Sequence, residues 1–388
     1  MLLSARDFSA RFWALVAATF LGFLGIGTVL PVLGPHIRYD LGGSDRDVGL
    51  VIGIFSLTAL CGRLVSGPLA DRRGRKFSFG TGLACCGLAG VTYLLPLGMA
   101  GPYLARIFQG MGEACLYTGA AAWALEVAGI ERGAQALGYI SSGIWGGISA
   151  GPMVGQWLGG FSRAAGMQVV CAAAALALLA RVPEQYRPPE HAAPRQWMPA
   201  GLGLLPAGLA IGFVNVHYPV VAGFLVLHLK RHGNSGPVAF SAYATLVLVS
   251  RFFLGGLPDR IRPAITFFGG LACMAAGLSL LARGPDPAVA VSAAALLGFG
   301  ISFPWTAIVA TVLRRASESE RGSVVGVLTA FYDLFVGMSS FAAGWISLRM
   351  GYGAAFAMAA MAVGVAAVAG RAVFTEQRPA ARAAAVSR

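Results

Sequence analysis

Gly67-Pro68-Leu69-Ala70-Asp71-Arg72-Arg73-Gly74-Arg75-Lys76 is a short basic stretch wedged between two long apolar runs. Asp71 falls at the C-terminal end of the first run. If that run is a helix, the negative end of its macrodipole disfavours an acid there, so the carboxylate serves a partner elsewhere. Gly67 allows close helix approach, and Gly74 permits the backbone to reverse. Arg72, Arg73, Arg75 and Lys76 hold the turn on the positive side of a bilayer. The stretch therefore reads as a charged cytoplasmic hinge between two membrane helices.

Composition agrees. The 388 residues are 57% hydrophobic and 12% charged, with mean hydropathy +0.71, whereas soluble domains carry about 25% charged residues. Apolar runs long enough for ~30 Å of hydrocarbon give twelve expected spans, near 12–34, 46–70, 77–98, 101–127, 134–160, 163–182, 199–228, 236–257, 263–283, 286–313, 321–348 and 351–374. The expected fold is an all-α integral membrane protein with two pseudo-symmetric six-helix bundles, 1–182 and 199–388. A Pro-rich cytoplasmic linker, 183–198, joins them, and a short cytoplasmic tail follows the last span. The first apolar run is too long for a signal-peptide core and reads as a retained span.

The net charge of +13 could suggest a nucleic-acid binder, so the distribution of cations decides. With both termini cytoplasmic, 19 of the 29 Lys/Arg fall inside and 7 outside, leaving Arg63, Arg106 and Arg251 within spans. That is the positive-inside pattern, with attraction to lipid headgroups rather than to DNA or RNA. Cys61, Cys85, Cys86, Cys115, Cys171 and Cys273 lie in apolar helices without metal or redox spacing, so neither a disulfide framework nor a metal site is expected.

The chain also looks duplicated. An offset of 188 carries Arg63, Gly67, Leu69, Asp71 and Arg72 onto Arg251, Gly255, Leu257, Asp259 and Arg260, and Pro31 onto Pro219. The second copy is degenerate, with Pro258 for Ala70 and Arg262-Pro263-Ala264 for the Gly-Arg-Lys end. Residues 67–76 resemble the signature loop of the major facilitator superfamily, G-x-L-A-D-R-x-G-R-K, at every signature position. That resemblance implies parallel repeats with a substrate site near the midplane. It also implies that Gly67, Asp71, Arg72, Gly74, Arg75 and Lys76 form a conformational hinge, with Asp71 reaching the start of the eleventh span near Arg321–Val324.

The fifth span carries Gly143, Gly147, Gly151, Gly155 and Gly159 at every fourth residue, with Pro152 favouring a kink. Such a stripe has almost no side chains, and another helix can approach it closely in lipid. The order resembles the motif of the superfamily's proton-coupled drug and metabolite antiporters, the arabinose-efflux-like branch, and that resemblance implies efflux.

Ionisable groups deep in spans are costly, at roughly 2.5–3.5 kcal/mol each on insertion scales, and so mark function. Glu113 and Asp333 both lie near the midplane, about 12 residues into their spans. Arg106 shares a helix face with Glu113 but sits ~10 Å away along the axis, as an electrostatic partner rather than a bonded one. Arg106 to Gly112 also resembles the family's R-x-x-Q-G-x-G motif, whose arginine is associated with proton transfer. Glu113, Arg106 and Asp333 are therefore the expected proton-coupling residues.

Gln109, Tyr117, Asn215, His217, Tyr218 and Trp305 are the expected substrate-facing residues, with Trp123, Trp145, Phe303, Phe331 and Tyr332 as further aromatic surface. A lone interior histidine such as His217 is more often a hydrogen-bonded packing residue than a titrating one. His36, Arg38, Asp40, Asp45 and Asp47 read as a solvated outer loop. No Walker loop, paired Cys/His set or nucleophile elbow is present, so an enzyme is not expected.

The sequence is read as a bacterial inner-membrane secondary transporter, monomeric and without cofactor, driven by the proton gradient. It would export a small organic molecule in exchange for protons by alternating access. Proton-coupled uptake of a sugar or metabolite is the alternative, and a non-transporting receptor or scaffold on the same fold is the alternative of another class.

Overall fold

The computed structural model describes residues 8–128, 133–183, 203–230, 232, 235–254, 261–316 and 321–375. Every regular element among them is helical: α1 (Ala10–Pro35) with a π-helical last turn (His36–Asp40), α2 (Asp45–Arg73), α3 (Arg75–Leu94), α4 (Ala100–Ala128), α5 (Gly133–Leu158) and α6 (Phe161–Ala180). Then follow α7 (Leu205–Asn215), α8 (His217–Lys230), α9 (Gly236–Leu254), α10 (Pro263–Ala282), α11 (Pro287–Ile301), α12 (Pro304–Leu313), α13 (Arg321–Met350) and α14 (Tyr352–Thr375).

Among the described residues nine helical stretches are long and apolar enough to cross a bilayer by length and composition. Two of these are broken helices, α7–α8 and α11–α12. Each break lies just before a proline, Pro219 or Pro304, whose ring cannot donate to the carbonyl four residues back and collides with it. Helices α4, α5 and α9 bring the passes to twelve. The arginine, glutamine and glutamate of α4 and the glycines of α5 dilute the apolar signal there.

By internal packing the chain divides into two units, Met1–Ala192 and Ala193–Arg388. Residues 184–198 of the expected linker, and the tail beyond 375, lie outside the described residues. In the first unit the principal pairings are α1 with α5 and α6, α3 with α4 and α6, and α2 with α4. The second unit repeats them pass for pass, with α7 on α13 and α14, α10 on α11 and α14, and α9 on α11.

The repeat extends to single contacts. A Cβ on Gly112 would meet the Gly82 carbonyl oxygen at 2.8 Å, and one on Gly300 would meet the Gly270 carbonyl oxygen at 2.7 Å. Likewise Gly110 lies against the Phe55 carbonyl and Gly298 against that of Tyr243. Each position in the second pair of helices is its first-unit counterpart plus 188, so glycine is retained where backbones touch.

Candidate functional site

The hinge turn is built as its residues dictate. Gly74 has φ 101° and ψ 155°, a region open essentially to glycine alone, and it lets α3 start directly after α2 ends. Arg75 pairs with Glu126 near the end of α4. The Lys76 Nζ donates to the Val182 carbonyl oxygen at 2.7 Å, just past the end of α6. Two of the cations thus tie α3 to α4 and α6, beyond their expected part in membrane orientation. Asp71, Arg72 and Arg73 are exposed. The second-copy residues Gly255, Leu257, Asp259 and Arg260 lie outside the described residues, as do the side chains of Arg321 and Gly322 at the expected Asp71 partner.

The glycine stripe of α5 receives α1. A Cβ on Gly147 would stand 2.5 Å from the Phe20 carbonyl oxygen, one on Gly151 2.6 Å from Gly27 Cα, and one on Gly143 3.1 Å from the Val16 carbonyl oxygen, while one on Gly155 would overlap the Thr28 carbonyl. Pro152 sits within the helix without interrupting it. Gly159 departs from the expectation: it lies past the end of α5 at φ 65°, where it turns the chain toward α6 and adds no step to the stripe.

In the second unit the same interface has its small and large partners exchanged. Gly208 and Gly212 on α7 lie under the rings of Phe331 and Phe335 on α13. These are the positions of Phe20, Leu24, Gly143 and Gly147 shifted by 188. Phe331 is accordingly a packing residue.

Arg106 is 1% exposed. Its Nη1 donates to Gln109 Oε1 at 2.6 Å, and its Nε and Nη2 donate to the Val51 and Ile52 carbonyls of α2 at 3.3 and 3.5 Å. The guanidinium also lies 4.2 Å from the centroid of the Phe55 ring. Gln109 Nε2 donates to Gln168 Oε1 at 3.2 Å, and Gln168 Nε2 to the Cys86 carbonyl at 2.7 Å. Buried polar groups need such partners. Gln109, expected to face substrate, is fully buried, and its amide is engaged at both ends in a strut across α2, α3, α4 and α6.

Glu113 also meets a cation on another helix. Arg63 of α2 holds the carboxylate, with Nη2 at 3.4 and 3.3 Å from its two oxygens. The Arg63 guanidinium lies 5.1 Å from the centroid of the Tyr117 ring, within cation–π range. One turn along, Ser66 Oγ and Thr118 Oγ1 are 2.9 Å apart. Arg63, Glu113 and Tyr117 are all partly buried, so the pair is shielded without being sealed. Sequence reading left Arg63 unassigned. A cation and an acid in adjacent spans, each costly alone, was the available signal.

In the second unit, the His217 Nδ1 lies 2.8 Å from the Val214 carbonyl oxygen, which can only accept, so that nitrogen carries the proton. In the neutral ring Nε2 then accepts from the Tyr243 hydroxyl at 3.2 Å. Asn215 Nδ2 donates to the Ile211 carbonyl at 2.8 Å, and both residues are buried. Trp305 and Tyr332 meet edge to face at 6.4 Å, Tyr218 is partly buried, and Asp333 is 3% exposed. Trp123 and Phe303 are core residues, whereas Trp145 is partly buried.

The loop before α2 is less solvated than expected. Asp47 forms a capping box with Ser44 and accepts from the Tyr103 hydroxyl at 2.9 Å, while Arg38 Nε lies 3.3 Å from a carboxylate oxygen of Asp45, which is 6% exposed. The spacing Ser44-x-x-Asp47 was legible in advance. His36 Nδ1 bonds Asp40 at 2.7 Å.

Twelve helical passes in two like-packed units, with an ion pair and a polar strut inside the membrane, define a polytopic membrane transporter. The Major Facilitator Superfamily model matches residues 15–336 and 238–387, and the chain belongs to that family. It is therefore a transporter of small molecules and not an enzyme. It is 28% identical over 363 residues to an uncharacterized MFS-type transporter of Burkholderia mallei strain SAVP1, covering 90% of this chain and 88% of that one. It is 27% identical over 372 residues to another from Salmonella typhimurium strain LT2, covering 92% and 95%. Among solved structures, the nucleoside transporter NupG superposes with a TM-score of 0.73 at 13% identity over 94% of this chain and 99% of that one. A point mutant of NupG superposes with 0.76 at 14% identity over 94% and 100%. These last two describe the fold alone.

Proposed function

We propose that the chain exports a small organic molecule across a bacterial inner membrane in exchange for protons, by alternating access, with Glu113 as the proton-carrying group. The observation that carries this reading is the ion pair between Glu113 and Arg63. A carboxylate and a guanidinium removed from water hold one another in place, and separating them leaves an uncompensated charge that costs about 3–5 kcal/mol. Protonation of Glu113 cancels the attraction, and a cationic group of the substrate can take the place of Arg63 at the carboxylate; either event frees the guanidinium to turn to water or to another acceptor. Proton and substrate then compete for one carboxylate, which is the elementary condition for exchange. The glycine stripe of α5 supports the export direction through its motif resemblance. Arg106 acts in this scheme through the strut that fixes α4 against α2, and Asp333 is the second coupling candidate.

The test is proton-gradient-driven flux in proteoliposomes containing the full chain, screened across drugs, sugars and metallophores. Substrate-dependent proton movement with accumulation opposite to the proton flow supports export. Accumulation in the direction of proton flow assigns uptake instead, and the absence of substrate-dependent proton movement overturns proton-coupled export of these compounds.

A further inference from the structure

The short loop Arg283–Asp286 joins two membrane passes, α10 and α11, and so lies at a bilayer surface. Directly below it is a groove of about 270 Å³ lined by Leu280, Ala288, Val289, Ser292, Ala293 and Leu296. The one hydroxyl in that lining is spent internally, because Ser292 Oγ donates to the Ala288 carbonyl at 2.9 Å. A groove without available polar groups does not hold ordered water and suits an apolar chain.

Two opposite charges stand in the loop between the helices that line it, Arg283 three residues after Leu280 and Asp286 two before Ala288. Arg283 is on the same side of the end of α10 as Leu280. Asp286 occupies the N-cap position of α11 without making a capping bond. Both side chains are exposed, and among the described residues neither takes part in an ion pair or side-chain hydrogen bond. Gly284, at φ 62°, turns the loop tightly between them. An exposed guanidinium and an exposed carboxylate on the loop that borders an apolar slot match a lipid whose head bears both a phosphate and a primary ammonium.

We propose that this face binds one phosphatidylethanolamine molecule, with an acyl chain in the groove, the phosphate on Arg283 and the ammonium on Asp286. Charge-assisted bonds of guanidinium to phosphate and of ammonium to carboxylate fix the head. A phosphatidylglycerol head offers the phosphate but gives Asp286 no cation, so it binds less well. The site is independent of the proposed transport reaction.

Native mass spectrometry of the delipidated full chain in detergent tests this, with equimolar phosphatidylethanolamine and phosphatidylglycerol of identical acyl chains. The expected result is one tightly retained lipid with a preference of about fivefold for ethanolamine, the upper end for an exposed ion pair. Asp286→Asn should bring the two lipids to parity, Arg283→Gln should weaken both, and Ala288→Phe should remove the tight lipid by filling the groove. Ser292→Phe serves the same purpose if Ala288→Phe folds poorly. Parity in the wild type, a preference that survives Asp286→Asn, or undiminished retention with the groove filled overturns the proposal.

Discussion

Arg63 on α2 and Glu113 on α4 form an ion pair, with a guanidinium nitrogen 3.3 Å from a carboxylate oxygen, in the middle part of both helices. The two residues are separated by 50 positions in the chain and meet only because Gly62 and Gly110 let α2 and α4 pack closely. A Cβ on Gly62 would stand 2.8 Å from that of Ala114, and one on Gly110 would overlap the Thr58 hydroxyl.

Glu113→Gln is expected to bind ligand but fail to accumulate it against a gradient, with the pH dependence of binding flattened. Asp333→Asn should lose less. Proton-driven flux and ligand binding across pH, measured in the same preparation, decide this. A fully active Glu113→Gln with an unchanged pH profile moves coupling to Asp333 or His217, or removes proton coupling altogether.

The pair also predicts a stability cycle. Arg63→Gln and Glu113→Gln each leave one partly buried charge uncompensated and should destabilise by less than the about 3–5 kcal/mol of a fully buried pair, whereas the double variant should recover part of that loss. Thermal unfolding in detergent reads it. Additive losses would mean that the two side chains do not depend on one another.

Close approach of α1 to α5 predicts that Gly147→Leu and Gly151→Leu abolish folding or transport, since overpacking a tight contact costs about 1–3 kcal/mol or more. Gly160→Leu should be mild: nothing lies within 4 Å of a Cβ there, and the backbone is extended. Gly208→Leu in the second unit should resemble Gly147→Leu, because its Cβ would meet the Phe331 ring at 2.5 Å. Expression-matched vesicle transport separates these outcomes.

At the hinge, Gly74→Ala should cost about 1–3 kcal/mol from backbone strain alone. Glu126→Gln should loosen the start of α3 by removing the Arg75 partner, and the exchange Arg75→Glu with Glu126→Arg should restore it. Hydrogen exchange at the first turn of α3 is the measurement, and failure of the exchanged pair to restore protection would dismiss the ion pair as the fastening.

Tyr243→Phe leaves His217 Nε2 without its donor and should destabilise by about 1–3 kcal/mol. His217→Gln keeps a donor and an acceptor and should transport with an unaltered pH profile. A shifted profile in His217→Gln would make the histidine a titrating element of the cycle rather than a fixed link between α8 and α9.

The membrane class, the twelve passes, the duplication and the glycine turn between α2 and α3 were legible in the chain because each depends on local composition or spacing. Apolar length must match the bilayer, cations must stay on one side of it, and Gly74 must reverse the backbone wherever the helices later pack. The stripe on α5 was legible for the same reason, as a face defined by helical period. Its partner α1 was not, since a glycine states that something comes close without stating what. The exchange of small and large residues between Gly143–Phe20 and Phe331–Gly208 hid the same interface in the second copy. Glu113 was found as a costly intramembrane acid, but periodicity along one helix could offer only Arg106 as its partner. The choice of Arg63 over Arg106, and the burial of Gln109 in a strut with Gln168, required the azimuth of each helix about its axis. That azimuth is set by contacts among several helices at once, and no single helix encodes it.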